Sequence, residues 1–170
     1  YFTQSAREPT FEAGGTRFGV TICEDAWNDV PGPLREHYDE DPVAECVARG
    51  AEVIVNLAAS PFTLRKRALR PAMFADIARK HARPVVCVNA VGGNDDLVFD
   101  GTSTVFGPDG ALWARAPSFA EQVLVTDLGP GGRVHEVPES DAAAALDALV
   151  LGTRDYAHKC GFRSAVVGLS

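Results

Sequence analysis

The sequence predicts an α/β fold built on a mixed sheet. Three short apolar runs, at 17–22, 52–57 and 84–89, alternate with helical patterns across short connections. That order belongs to a layered α/β architecture. After residue 100 the pattern changes to strands joined by turns, with no helix between them. Such a meander adds antiparallel strands to the parallel ones.

The elements follow in chain order. Pro9 and Gly14-Gly15 predict a hairpin before the first long strand. In that strand Phe18, Val20 and Ile22 alternate, and Val20-Thr21-Ile22 favours a pleated backbone. Asn28 to Asp41, with Pro31, Gly32 and Pro33, reads as irregular. Asp41 is a good N-cap and Pro42 suits the first helical position. Val43, Val47 and Ala51 follow at four-residue steps, and Gly50 is a helix stop. Val53-Ile54-Val55 is apolar on both faces, as in strands covered on two sides. Ala59-Ser60-Pro61 is the turn after it.

A helix is predicted from about 63 to 82, with Leu69, Met73 and Ile77 on one face. Pro71 either kinks it or marks the first turn of a shorter helix. Pro84 to Asn89 is the next strand. Ser103–Phe106 and Ala111–Ala114 flank the turn Pro108-Asp109-Gly110, and Glu121–Leu128 reads as a further strand. Residues 129–139 form a linker by composition. Ser140 or Asp141 caps a helix to about 160, with Leu146, Leu149, Val150, Thr153, Ala157 and Cys160 on one face and Gly161 as its stop. Ser164–Gly168 then begins a new strand. The division is therefore a first domain over 1–128, a linker over 129–139 and the opening of a second domain over 140–170.

Composition narrows the function. The chain has 170 residues, 46% hydrophobic and 23% charged, an ordinary globular balance. A net charge of -7 argues against a partner held through nucleic-acid phosphates. No apolar run is long enough for a membrane-spanning helix. The four cysteines, at 23, 46, 87 and 160, show no paired spacing. That is a reduced pattern and sets a cytoplasmic expectation. No Walker loop, Gly-x-Gly-x-x-Gly or Gly-x-Ser-x-Gly is present. His158 and Cys160 alone do not make a zinc site, so no metal is expected. The chain starts at Tyr1 and stops at Ser170 just after a β-like run, which is expected of a piece of a longer polypeptide.

Cys23 is the candidate nucleophile. A thiol at a strand end is fixed by rigid structure yet can face a cleft, and the next backbone N–H can stabilise an oxyanion. The alternative is a small buried hydrophobe. Glu24 and Asp25 would raise the thiol's pKa by like-charge repulsion, so a thiolate needs a cation or base from elsewhere. The cluster Arg65-Lys66-Arg67 with Arg70 is either a solvated helix face or the source of a cation for a substrate carboxylate.

Several stretches together carry a resemblance. They are Gly19 to Asp29, Asp41-Pro42-Val43, Gly50-Ala51, Asn56 with Ala59-Ser60-Pro61-Phe62, Val88-Asn89 with Val91-Gly92-Gly93, and Phe99-Asp100-Gly101. In this order they resemble the carbon–nitrogen hydrolase (nitrilase) superfamily, and more closely the glutaminase domain of the glutamine-dependent NAD+ synthetases. Ala165 to Ser170 resembles the strand leading into the ATP-pyrophosphatase loop of those enzymes. The resemblance implies part of an α-β-β-α sandwich with mixed sheets, followed by the first helix and strand of an ATP-pyrophosphatase-type domain. It implies a Cys–Glu–Lys triad in which a thiolate takes the acyl group of L-glutamine and releases ammonia. Cys23 maps onto the nucleophile, the backbone N–H of Glu24 onto the oxyanion site, and Ser60 and Lys66 onto positions that bind glutamine. It further implies that ATP, Mg2+ and deamido-NAD+ are used in the synthetase domain, with no cofactor held by these residues, and that the enzyme is a homo-oligomer.

One departure matters. The family's general-base Glu and catalytic Lys precede the cysteine. Glu8 and Glu12 sit in no matching motif, and no lysine occurs before Lys66. General acid–base help contributes roughly 10²–10⁴-fold, so these residues alone are expected to be nearly inactive. Missing strands would leave a sheet edge exposed and a core unfinished. The competing readings are a stand-alone amidase or nitrilase, and a non-catalytic scaffold with an inert Cys23. Residues 129–170 favour the synthetase, because a stand-alone enzyme has no use for a linker, helix and new strand.

Overall fold

The computed structural model describes residues 9–28 and 41–168. Most of the irregular segment expected between Asn28 and Asp41, together with Glu8, lies outside them. The hairpin comes first, as β1 (Thr10–Ala13) and β2 (Thr16–Ile22). A short 3₁₀ helix, Cys23–Trp27, ends β2. Then come α1 (Pro42–Ala48), β3 (Val53–Ala58), α2 (Lys66–His81) and β4 (Val85–Asn89). A second hairpin pairs β5 (Val91–Asn94) with β6 (Leu97–Asp100). Strands β7 (Thr104–Phe106) and β8 (Leu112–Arg115) and helix α3 (Asp141–Lys159) complete the set.

Among the described residues the main sheet has six strands in the order β1-β2-β3-β4-β7-β8. β2, β3 and β4 are parallel, and the outer pairings are antiparallel. The sheet is therefore mixed, as predicted. Its register sorts the side chains by face. Gly19, Ile54, Val85 and Phe106 share one rung, and Thr21, Asn56, Cys87 and Thr104 the next. This face is buried against α1 and α2, whose Val43, Cys46, Met73, Phe74, Ile77 and Ala78 join it in one core. Gly19 permits the approach of α1, because a Cβ there would lie 2.6 Å from Cys46 Cβ. On the other face Val20, Val55 and Val86 are half-buried, and Ile22, Leu57 and Val88 are exposed. An apolar face left open agrees with the partial sandwich the sequence predicts.

Pro71 lies inside α2, which runs unbroken from Lys66 to His81. Asp41 caps α1 by accepting from the N–H groups of Val43 (2.9 Å) and Ala44 (3.1 Å).

Three expectations fail. Glu121–Leu128 forms no strand; Val123 is 90% and Val125 88% exposed. Its apolar alternation lacks a ladder partner among the described residues. Ser164–Gly168 is likewise irregular, with Val166 fully exposed. The helix at 141–159 exists, with the Ser140 hydroxyl accepting from Ala143 N–H at 3.1 Å, but its buried face is not the predicted one. Ala144, Ala148 and Leu151 are buried, while Leu146, Leu149 and Val150 are exposed. The cause is backbone proximity. A Cβ on Gly93 of β5 would lie 2.9 Å from Gly152 Cα, and Asp155 accepts from Gly93 N–H at 2.8 Å. Periodicity marks Leu146, Leu149 and Val150, whereas the contact buries two alanines and Leu151 beside Gly152. The β5–β6 hairpin is not among the predicted strands, and Gly92-Gly93 leaves β5 with little side-chain alternation to mark it.

Among the described residues no helix is long and apolar enough to cross a membrane.

Candidate active site

The parallel strands β2, β3 and β4 all end at the same edge of the sheet, where α/β folds place ligands. β2 delivers Cys23, the turn after β3 delivers Ser60, and the first residue of α2 is Lys66. Cys23, Glu24, Trp27, Ser60, Pro61 and Lys66 line one cleft of about 100 Å³. The residues singled out by sequence thus stand together, although up to 43 positions separate them.

Each wall has a local cause. Cys23 adopts φ 45°, a left-handed conformation that is strained for a residue with a Cβ. The chain reverses there into the 3₁₀ turn, and Asp25 closes it by accepting from Ile22 N–H at 2.7 Å. From the neighbouring strand, Asn56 Nδ2 donates to the Cys23 carbonyl (3.3 Å) and to Thr21 Oγ1 (3.0 Å). Lys66 Nζ donates to Ser60 Oγ at 3.3 Å and sits 5.3 Å from the centroid of the buried Trp27 ring. A cation over an aromatic face is attracted by its quadrupole.

The electrostatics are opposed. Partial burial pushes the Cys23 thiol above the ordinary thiol range, and the charge and hydrogen bond of Glu24 push it the same way. A backbone hydrogen bond at Ala59 and the Lys66 charge pull it down without cancelling the rise. At neutral pH the sulfur is therefore mainly a thiol, and attack calls for a base. Glu12 is not one, since its carboxylate pairs with Arg17 at the opposite end of β2, Oε1 to NH2 2.5 Å.

The basic cluster divides. Lys66 faces the cleft, Arg67 bonds to Asp141 and to the Pro138 carbonyl, and Arg70 is buried. Arg70 forms a two-pronged pair with Asp100, at 3.0 and 2.6 Å. Asn89 links that pair to the cleft by accepting from Ser60 N–H at 2.9 Å. Sequence reasoning gave Asn56, Asn89 and Asp100 no individual role, and it read Arg70 only as part of the basic cluster, a solvated face or a cation for substrate, whereas the structure buries it against Asp100. The available signal was a lone asparagine in an otherwise apolar strand, since buried polar groups need partners. Among the described residues no group of three or more His, Cys, Asp or Glu could hold a metal.

A sequence profile of the carbon–nitrogen hydrolase family matches residues 1–132. The chain belongs to the carbon–nitrogen hydrolase family. Within it, the chain is 39% identical to a glutamine-dependent NAD+ synthetase of Synechocystis over its whole length, and spans 32% of that protein. The structure resembles glutamine-dependent NAD+ synthetase from Acinetobacter baumannii, solved with adenosine diphosphate. That likeness has a TM-score of 0.77 and 29% identity, and covers 97% of this chain and 30% of that one. A carbon–nitrogen hydrolase from Helicobacter pylori shares the fold at TM-score 0.59 and 20% identity, over 72% of this chain and 43% of that one. The nitrilase-like architecture expected from the sequence is thus the one observed.

Proposed function

We propose that this chain carries the thiol centre of a glutamine-hydrolysing NAD+ synthetase. Cys23 sulfur, once deprotonated, bonds to the side-chain amide carbon of glutamine. The carbon–nitrogen bond then breaks, and the nitrogen leaves as ammonia after taking up a proton. The resulting glutamyl thioester is cleaved by water to give glutamate and the free thiol. Glu24 N–H stabilises the oxyanion, and Ser60 and Lys66 hold the substrate's polar groups. The raised thiol calls for a base, and the resemblance places the family's general-base glutamate and its lysine N-terminal to the cysteine. ATP, Mg2+ and deamido-NAD+ serve the second half-reaction, in which the ammonia is used. No described residue is assigned to hold them. Residues 1–128 are assigned to the glutaminase part, 129–139 to a linker and 140–170 to the opening of the synthetase part. The enzyme is placed in the cytoplasm as a homo-oligomer.

The observation that supports this reading is the shared cleft of Cys23, Ser60 and Lys66. A scaffold has no need to assemble a strained thiol, a hydroxyl and a cation around one cavity. The test uses the full-length protein that carries this chain. Cys23→Ala should abolish glutamine-driven amidation of deamido-NAD+ and leave the ammonia-driven reaction within about twofold. Loss of both reactions, or glutamine-driven turnover surviving the substitution, would overturn the reading.

A further inference from the structure

Behind the cleft lies a buried carboxylate that is linked to two of its walls through neighbouring side chains. Asp100, at the end of β6, is 6% exposed. Its Oδ1 accepts from Arg70 NH1 (3.0 Å) and Asn89 Nδ2 (3.3 Å). Its Oδ2 accepts from Arg70 NH2 (2.6 Å) and Thr102 Oγ1 (3.1 Å). Both oxygens are satisfied, which a buried charge requires.

Two chains of contacts run from this carboxylate to the cleft. The first passes through Asn89. Its amide donates to Asp100 and to the Gly101 carbonyl (3.1 Å), so its oxygen is left to accept from Ser60 N–H at 2.9 Å. Asp100 thereby fixes which way the Asn89 amide points, because a carboxylate accepts only. The second passes through Arg70. Arg70 and Lys66 are four residues apart on α2 and share one side of the helix. Anchoring the guanidinium sets the rotation of the helix and with it the direction of Lys66. The chains meet again where Lys66 Nζ donates to Ser60 Oγ at 3.3 Å. The loop between them is held to the same strand, with Phe62 N–H donating to the Val98 carbonyl at 2.7 Å.

We propose that Asp100 is the positioning residue of the thiol cleft, placing Ser60 through Asn89 and Lys66 through Arg70. Asp100 touches neither the sulfur nor the cleft. It acts by holding a hydroxyl and an ammonium at fixed places relative to Cys23. The proposal rests on the glutaminase reading for its kinetic consequence, but its geometric consequence is independent of that reading. Lys66 lowers the Cys23 pKa through its charge, so displacing Lys66 must slow the reaction of the thiol with any electrophile.

The experiment uses the full-length protein with Asp100→Asn, Asn89→Ala and Arg70→Lys. Three quantities are measured: glutamine KM and kcat, the ammonia-driven rate, and the iodoacetamide rate at Cys23 resolved by peptide mass spectrometry. Asp100→Asn should raise the glutamine KM at least tenfold, change kcat less than threefold and slow Cys23 alkylation at least threefold. Asn89→Ala should raise KM similarly yet leave alkylation within twofold, since the Arg70–Asp100 pair that orients the helix of Lys66 remains. Arg70→Lys keeps a charge opposite Asp100 and should fall between parent and Asp100→Asn in both readouts. The ammonia-driven rate reports that the synthetase half is intact, and far-ultraviolet circular dichroism with the melting temperature reports whether the substituted part is folded. A KM within twofold of the parent in Asp100→Asn and Asn89→Ala overturns the proposal, as does a drop in melting temperature with neither readout moved. If Asp100→Asn does not fold, Arg70→Lys decides by the same readouts. If the parent hydrolyses no glutamine, the glutaminase reading falls, and the alkylation rates alone decide the positioning role.

Discussion

Asn56 holds the carbonyl of Cys23 from the neighbouring strand, Nδ2 to O 3.3 Å, while also donating to Thr21 Oγ1 at 3.0 Å. This contact steadies a nucleophile whose φ of 45° is unfavourable by itself. Conformations of this kind cost of order 1–3 kcal/mol and persist only where the surroundings over-determine them. Asn56 is 1% exposed, and its Oδ1 has no hydrogen-bond partner among the described residues. The strand therefore accepts a buried polar group for the sake of the turn above it.

Asn56→Ala should accordingly destabilise the protein by about 2–3 kcal/mol, at about 1 kcal/mol for each buried hydrogen bond plus the cavity. Urea unfolding of the full-length protein measures this. Thr21→Val should cost about 1–2 kcal/mol, because it leaves a buried N–H short of one acceptor. If both variants unfold like the parent, the Asn56 contacts do not hold the turn.

The thiol's pH dependence can be moved in both directions. The Cys23 pKa is raised by burial first and by Glu24 second, and lowered by Lys66. Removing the carboxylate in Glu24→Gln withdraws a negative neighbour, so the thiolate forms at lower pH. Lys66→Met withdraws a positive one, so it forms at higher pH. Below the pKa the thiolate fraction changes tenfold per unit. Iodoacetamide rates at pH 7.5 should rise severalfold in the first variant and fall severalfold in the second. Shifts of the same sign would mean that packing, not charge, governs the sulfur.

The contrast between Cys23 and Asn89 shows what was legible in the sequence. Cys23 announced itself because an alternating apolar strand stops at a thiol followed by two acids. Ser60 and Lys66 were placed by resemblance, and the fold then brought them to the same cavity. Asn89 shows only as a lone polar residue at the end of an apolar strand, which says that it needs partners but not which ones. Its role exists only through Ser60, Asp100 and Gly101, which are distant along the chain. Buried networks are properties of contacts, and periodicity does not encode contacts. The misplaced face of α3 has the same origin. Leu146, Leu149 and Val150 repeat at helical spacing, but Gly152 and Ala148 allow closer approach to the β5–β6 hairpin.

Gly19 offers a test of packing beneath the site. Its virtual Cβ would lie 2.6 Å from Cys46 Cβ and 3.0 Å from Ala51 Cβ, neither of them the end of a flexible side chain. Gly19→Ala must push α1 away from β2, and overpacking of this kind costs about 1–3 kcal/mol. The expected signature is a lowered melting temperature. A variant as stable as the parent would show that α1 sits further from the sheet than described.

Acid should weaken the attachment of α1. Burial of Asp41 raises its pKa, but the Lys80 hydrogen bond, the Ala44 and Val43 N–H groups and the Lys80 charge together lower it below the ordinary carboxylate value. A carboxylate depressed in the folded state contributes its stability above the unfolded pKa of about 3.9. That contribution is lost as pH falls from there through the folded value. Asp41→Ala should cost about 1 kcal/mol at pH 7, the usual worth of an N-cap, and less as pH drops below 4. A cost that is the same at pH 7 and pH 3 would show that the charge contributes nothing to the cap.

The four cysteines separate catalysis from mere exposure. Burial pushes the Cys46 thiol up to about 11 and the Cys87 thiol up to about 12. Both are enclosed, whereas Cys160 is exposed and Cys23 half-buried. With iodoacetamide, which recognises nothing, Cys160 should react first, Cys23 next, and the other two only on unfolding. A glutamine-analogue electrophile changes the rule, since it must first occupy the cleft of Ser60 and Lys66. Cys23 should then overtake Cys160, and free glutamine should protect it. Peptide mass spectrometry of the full-length protein reads the order directly. If Cys160 stays ahead with both reagents and glutamine protects nothing, Cys23 is an inert thiol at a strained turn and the scaffold reading prevails.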